Sequence, residues 1–547
     1  MLLLDAKSAF DMVVRECAVR NAYLAGTKDQ GLLYLNSRLK NRKTFVEWDK
    51  VLMGPINDTI GVEQGGVNSD RIYKLCNNVQ LKTAQMSRLG VDMGAVVVSS
   101  VGQADDTALV SNCLTKLAGL LHLAVEYCKN YHVELVAEKT KLLAYHPSGH
   151  TQGLYIQEVL NPLILGGFRI NFSISAEHVG VLRSVGGNMP HVMSRLSAHN
   201  RAIGAVLHTG MAAGHSGNPS SSMRLERLYG CPVLLSGLAS LVLNKAEMSV
   251  IHHHLKVHLE KLLKLHRNTP ECVVMFLAGS LPASALLHLR MLGLLGMIAR
   301  LGRGNILHQH GCHILLSNSP GKSWFTTLRS ICQEYSLPDP LLILQTPPPR
   351  ESWKKLTKSK VIDFWEAKYR SQATLLPSLK YFNCNYMSLS SPHPLFEAAK
   401  SPFEVRKAVV AAKMLSGRYR TDQLARHWSK TNSLGLCLLP GCTGQSKGSL
   451  EHILLYCNAL VETRDSLMSH WYKFLSERPY LFPLILDLTR TEANFMQLLL
   501  DPSSIPSVIS ANTLHTDTLQ SCFYLSRTWV YSHHRKRRSL QKTWKLI

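Results

Sequence analysis

Val96-Val97-Val98-Ser99-Ser100-Val101-Gly102-Gln103, then Ala104-Asp105-Asp106, then Thr107-Ala108-Leu109-Val110-Ser111: two β-rich runs meet across three residues. So short a connection between such runs predicts an antiparallel hairpin with the paired aspartates at its tip. Working outward, the chain opens on an apolar stub, Leu2–Leu4, that ends in Asp5, and Ala9-Phe10-Asp11-Met12-Val13-Val14 has helical character. Leu120, Leu121, Leu123, Ala124, Tyr127 and Cys128 recur at helical spacing between Ala118 and His132, and Val133–Val136 and Lys141–Tyr145 read as strands again. The mixture predicts an α+β unit over residues 1–185.

The whole chain has 547 residues, room for about three or four domains. Hydrophobic residues make up 46%, which excludes a wholly disordered protein. Lys+Arg total 61 against 37 Asp+Glu, and the surplus of +24 points to a polyanionic partner, nucleic acid or an anionic membrane surface. The 13 cysteines are scattered, and Met1-Leu2-Leu3-Leu4-Asp5 lacks the basic start of a secretory leader, so a disulfide scaffold is not expected. The longest apolar stretch, around Val273–Leu301, is broken by Pro282, His288 and Arg290 and reads as packed helix rather than a membrane span. The expectation is a soluble intracellular protein.

Beyond residue 185 the strand signals vanish. Residues 186–337 read as helical, 338–350 as a linker carrying Pro338, Pro340 and Pro347-Pro348-Pro349, and 351–432 as a helical, basic region. In the last of these, Glu404–Leu415 is a helix with Gly417 as its C-cap. A Cys/His module occupies 433–460, and 461–547 is a helical tail closing on the basic run His533–Arg538.

Asp5 at a strand end and Asp105-Asp106 on a hairpin tip are what two hard divalent ions need, because Mg²⁺ takes oxygen ligands and relies on one or two carboxylates plus substrate phosphates. Alone, Asp105-Asp106 reads as turn chemistry. They are accompanied, in order, by Asp5-Ala6-Lys7-Ser8-Ala9-Phe10-Asp11, Glu63-Gln64-Gly65-Gly66-Val67-Asn68-Ser69-Asp70, Gln103-Ala104-Asp105-Asp106 and Glu138-Lys139-Thr140-Lys141. This ordered set resembles the palm of a reverse transcriptase of the non-LTR (LINE-type) retrotransposon kind, over about the first third of the chain.

The resemblance implies an RNA-directed DNA polymerase using an RNA template, a DNA primer, deoxynucleoside triphosphates and two catalytic Mg²⁺ held by Asp5, Asp105 and Asp106. Phe10 matches the aromatic that crowds the sugar 2′ position, Gln64 and Gly65 the motif beside the templating base and incoming nucleotide, and Lys139 the lysine near the leaving pyrophosphate. Glu177-His178-Val179-Gly180-Val181 stands where the family has its primer-gripping hairpin. Residues 186–337 would be the thumb and connection. It implies a nuclear or cytoplasmic ribonucleoprotein, not secreted and not in a membrane, and leaves oligomeric state open. Three departures stand out: Gln103 replaces the usual aromatic, Asp70 replaces a usual proline, and Met1 lies four residues before Asp5 (5 − 1). The last leaves no room for fingers or an upstream endonuclease, so polymerase activity is expected to be impaired, and a catalytically inactive nucleic-acid-binding remnant is the alternative.

Cys437, Cys442, His452 and Cys457 spell C-x4-C-x9-H-x4-C. Pro440-Gly441 folds two thiols towards one point, and three thiolates with an imidazole suit one tetrahedral, structural Zn²⁺. Just upstream, Gly417-Arg418-Tyr419-Arg420 and Arg426-His427-Trp428 interleave base with aromatic, a pattern that can hold phosphates and stack on unpaired bases. Arg350, Lys354, Lys355, Lys358 and Lys360 form a further basic stretch, and Arg535-Lys536-Arg537-Arg538 reads as a solvated terminus, a nuclear localisation signal or a nucleic-acid-binding tail. His252-His253-His254 reads as structural, since adjacent helical residues point about 100° apart.

Overall fold

The computed structural model describes residues 1–40, 42–63, 66, 68–145, 162–206, 217–317, 321–429 and 434–546. The protein is mixed α+β, mostly helical with small sheets. It divides into two compact units: Met1–Ser194 with Met297–Thr326 and Pro340–Pro347, and Arg195–Gly296 with Thr327–Asp339 and Pro348–Ile547.

The first unit is organised by the opening tripeptide. Leu2–Leu4 is a central strand, flanked by Lys141–Leu142 on one side and Asp106–Leu109 on the other, with Ser100–Gln103 outside that. All pairs are antiparallel. Alternation along the strand sends Leu2 and Leu4 to one face, where they pack with Leu109, Leu142 and Leu117, Leu120, Leu121 and Ala124 of helix Leu114–Tyr131. Leu3 faces the other side with Ala108, Leu143 and Ala176. A strand covered on both faces has no solvent side, which is why three consecutive leucines suit it.

Some expectations need correcting. Ala9–Val14 is not helical. Ser8 has a positive φ of 48°, Asp11 and Met12 both donate to the Ser8 carbonyl, and the helix begins only at Arg15. The carbonyls of Phe10 and Val13, which a helix would use internally, instead accept from Val62 and Gly61. The later strands are short, Glu134–Leu135 and Lys141–Leu142. The segment 338–350 is not an open linker. Pro340–Gln345 is a helix with Ile343 and Leu344 buried, and His308 Nε2 lies 3.0 Å from the Leu344 carbonyl. Proline at a helix start forfeits no hydrogen bond, so proline content there carries no information about flexibility.

The second unit is helical. Glu271–Ala278 is buried on all sides apart from Glu271, and Lys245–Leu262 starts at a capping box between Asn244 and Glu247. Pro402–Leu415 packs on the long helix Thr518–Leu546, and Gly417, at φ 67°, follows it as expected. The basic run 535–538 lies within that long helix, with Arg535, Lys536 and Arg538 exposed to solvent as expected. Arg537 is buried, donating to the Arg420 carbonyl and pairing with Asp422 at 3.1 Å. One helix among the described residues, Ala283–Arg300, is long and apolar enough by length and composition to cross a membrane. Within the protein its Met291, Leu292 and Leu295 are buried, and the Leu292 carbonyl accepts from Trp353 Nε1 at 2.8 Å.

Candidate active site and metal centre

The register of the central sheet decides what meets what. Leu4 stands opposite Thr107, so the next antiparallel positions are Asp5 and Asp106. In the hairpin, Gln103 pairs with Asp106, leaving Ala104-Asp105 as a two-residue turn. Asp106 is therefore the first residue of a strand rather than part of the tip. Ala104 has φ 55°, a left-handed conformation at the first central residue of the turn that glycine usually supplies. What holds it is Asn77, whose Nδ2 donates to the Ala104 carbonyl at 2.8 Å and reaches Thr107 Oγ1 at 3.3 Å.

Other parts of the ordered set gather around this turn. Lys139 Nζ lies 3.5 Å from Asp5 Oδ2. The Phe10 ring is 5.0 Å from that of Tyr73, and burial, followed by the charge of Asp105, pushes the Tyr73 hydroxyl up. The hairpin Ser175–His178 with Val181–Ser184 turns through Val179 and Gly180, both at positive φ. Burial lowers His178 while Asp106 opposes it, so His178 at this hairpin tip lies within electrostatic reach of Asp106. Gly61 brings the segment before Gln64 against Phe10–Val13: it sits at φ 81°, and a Cβ there would come within 2.5 Å of the Asp11 carbonyl. Gln64 and Gly65 themselves lie outside the described residues. Asn77, which sequence reasoning missed, shares a helix face with Tyr73, and no local pattern marks it.

Asp5, Asp105 and Asp106 are oxygen donors on adjoining strand ends, the right chemistry for hard divalent ions. Among the described residues, however, they are not a cluster with all donor atoms within 4.8 Å of one another. The ion beside Asp5 is an ammonium.

Cys437, Cys442, His452 and Cys457 do converge, with all four donor atoms within 4.8 Å. Cys437 Sγ is 3.9 Å from Cys457 Sγ, and Cys442 Sγ is 3.5 Å from His452 Nε2. Tetrahedral Zn²⁺ with Zn–S of about 2.3 Å and Zn–N of about 2.0–2.1 Å would place ligands roughly 3.8 and 3.6 Å apart. The cluster is compatible with zinc. Local structure explains the spacing. Cys437 N donates to the Ser446 carbonyl, Gly441 turns at φ 84°, and His452–Tyr456 is a π turn in which Cys457 N donates to the His452 carbonyl at 2.7 Å. The Cys437 thiol is pushed up first by its bond to Cys457 and then by burial, and the same bond holds Cys457 down.

Arg418 and Arg420 line a cavity of about 570 Å³ together with His266, Lys413 and Tyr419. Burial, then the nearby charges of Lys264 and Arg538, lower the Lys413 ammonium. Tyr419 is not free to stack on bases as the sequence suggested: it is buried, with its hydroxyl 2.9 Å from His534 Nδ1. The side chain of Arg426 lies outside the described part of the structure. No protein-family model matches the chain, and no curated protein matches it.

Proposed function

We propose that the first unit is a nucleic-acid polymerase palm of the reverse-transcriptase kind, extending a DNA primer on an RNA template. The observation that supports this is the pairing of Leu4 with Thr107, which makes Asp5 and Asp106 the next residues along two neighbouring strands, with Asp105 in the adjoining turn. Asp5, Asp105 and Asp106 would hold Mg²⁺, which when bound supplies charge stabilisation for the attacking and leaving oxygens. Phe10, backed by Tyr73, borders the sugar, and Lys139 stands ready for the leaving pyrophosphate. Asn77 is a positioning residue, fixing the Ala104 carbonyl and so the turn. The Cys/His cluster would hold one structural Zn²⁺.

Primer extension by the purified chain on RNA, in Mg²⁺ and separately in Mn²⁺, tests the reading beside an Asp105→Asn/Asp106→Asn variant. Extension by the parent that the variant lacks supports it. Absence of extension with retained, salt-sensitive RNA binding favours the second reading, a non-catalytic nucleic-acid-binding protein. That reading has its own support in the cationic cavity at Lys413, Arg418 and Arg420.

A further inference from the structure

The second unit contains a polar cluster that neither reading uses. Glu226 lies at the start of a π turn, Glu226–Gly230, inserted between helices Pro219–Leu225 and Cys231–Leu234. Its carboxylate is buried, 2% exposed, and its ion-pair partners are two imidazoles: His199 Nε2, 3.0 Å from Oε1, and His258 Nε2, 2.9 Å from Oε2. His199 comes from helix Met189–Val206 and His258 from helix Lys245–Leu262. His254, one turn before His258, bonds through Nε2 to His199 Nδ1 at 3.0 Å. The run 252–254 thus splits as its helical geometry requires, His252 pairing with Glu271 and His254 with His199.

Two features separate this from an ordinary buried hydrogen-bond triad. Glu226 Oε2 and His258 Nε2 are buried without a well-aligned hydrogen bond, although 2.9 Å apart, so both are left open to a common neighbour. Buried polar atoms left so are costly and call for a partner. The second feature is Gly230. A Cβ there would lie 2.3 Å from Glu226 Oε2, so a larger residue would displace the carboxylate from its place in the cluster.

We propose that His199, Glu226 and His258 are the protein ligands of a second metal site, for a divalent transition ion of the zinc class. Their donor atoms all lie within 4.8 Å of one another. Tetrahedral ligands at about 2.0–2.1 Å from Zn²⁺ stand roughly 3.3 Å apart, so the 2.9 and 3.0 Å contacts need only a slight opening. Two imidazoles and a carboxylate form a borderline donor set suited to Zn²⁺ and poor for Mg²⁺ or Ca²⁺. His254, whose Nε2 lies 3.0 Å from His199 Nδ1, is the outer partner that orients His199; with an ion bound it would accept from Nδ1–H and leave the Nε2 lone pair for the ion.

The test uses the full chain and separates this site from the cysteine cluster. The Cys437→Ser/Cys457→Ser variant, loaded with Co²⁺, is expected to keep one ion per chain with weak visible bands and no thiolate charge transfer. Adding Glu226→Gln, which preserves shape and removes the charge, should abolish those bands, with circular dichroism confirming retained helix. A folded cysteine variant that binds no Co²⁺, or a spectrum unmoved by Glu226→Gln, overturns the proposal. Should the cysteine variant fail to fold, metal content of the parent is compared with His258→Gln alone. Loss of one Zn²⁺ per chain supports the site, and unchanged content overturns it.

Discussion

Lys139 Nζ stands 3.5 Å from Asp5 Oδ2, so the carboxylate ending the central strand already has a cation beside it. The lysine side chain is 69% exposed and the aspartate 40%, and such pairs contribute about 0–1 kcal/mol to stability. Lys139→Ala is therefore expected to leave thermal unfolding almost unchanged. If Lys139 assists the leaving pyrophosphate, the same variant should lower kcat for primer extension roughly 10²-fold or more, the scale of a lost proton donor. An unaltered kcat in an active chain would remove Lys139 from the mechanism and leave it an exposed ion pair.

The cysteine cluster predicts a metal-dependent fold around 433–460. Binding to a Cys3His set contributes on the order of 10 kcal/mol to small modules. Cys442→Ser, at the least buried of the three thiols, should lower the melting temperature and expose Trp529, whose Nε1 bonds to the Leu454 carbonyl at 3.3 Å. Tryptophan fluorescence during melting, with and without chelator, reads this. Identical curves for the parent and Cys442→Ser would mean the four donors converge without a metal.

Acid should weaken the helical unit. His288, with Nδ1 2.8 Å from the Tyr335 hydroxyl, and His533, stacked on Trp529, are both brought down to about 4 by burial. Above pH 6.5 both folded and unfolded chains keep these rings neutral, so neither contributes. As pH falls from 6.5 to about 4 the unfolded chain takes up protons that the folded chain refuses, and stability falls by roughly 3 kcal/mol per ring. Denaturant midpoints at pH 7 and 4.5 should therefore differ less in a His288→Asn variant than in the parent. Equal pH slopes would show that His288 protonates in place.

The cationic cavity makes a salt-dependent prediction. Arg418→Ala/Arg420→Ala should weaken RNA binding uniformly across sequences and flatten the dependence of log affinity on log salt by about 1 for each phosphate no longer held. A parallel drop in affinity at every salt concentration would assign these arginines to folding instead.

The hairpin at 100–109 was legible because two β-rich runs flank a connection of only three residues. Leu2–Leu4 was legible because three consecutive leucines before a carboxylate suit a strand buried on both faces. The C-x4-C-x9-H-x4-C spacing announced its own convergence. What stayed hidden depends on distant chain. Asn77 reaches Ala104 from helix to turn, and no periodicity marks the pairing. Tyr419 looked free until helix Thr518–Leu546 covered it with His534 and Arg537. His199, Glu226 and His258 come from three separate helical segments, and the one local trace, His254 and His258 a single turn apart, was masked by the more conspicuous run at 252–254. The prolines of 338–350 misled because composition does not distinguish a helix start from a loop.

Both donor clusters share a device. In each, the carbonyl of a donor residue, Glu226 or His452, accepts from the amide of a cysteine five positions on, Cys231 or Cys457. On a regular α-helix five positions leave two side chains about 140° apart, and the wide turn closes that gap. Removing one residue inside either turn would restore an ordinary helix and rotate everything after it by about 100°, dispersing the donors while leaving helix content almost intact. Such a deletion would escape notice in a measurement of secondary structure.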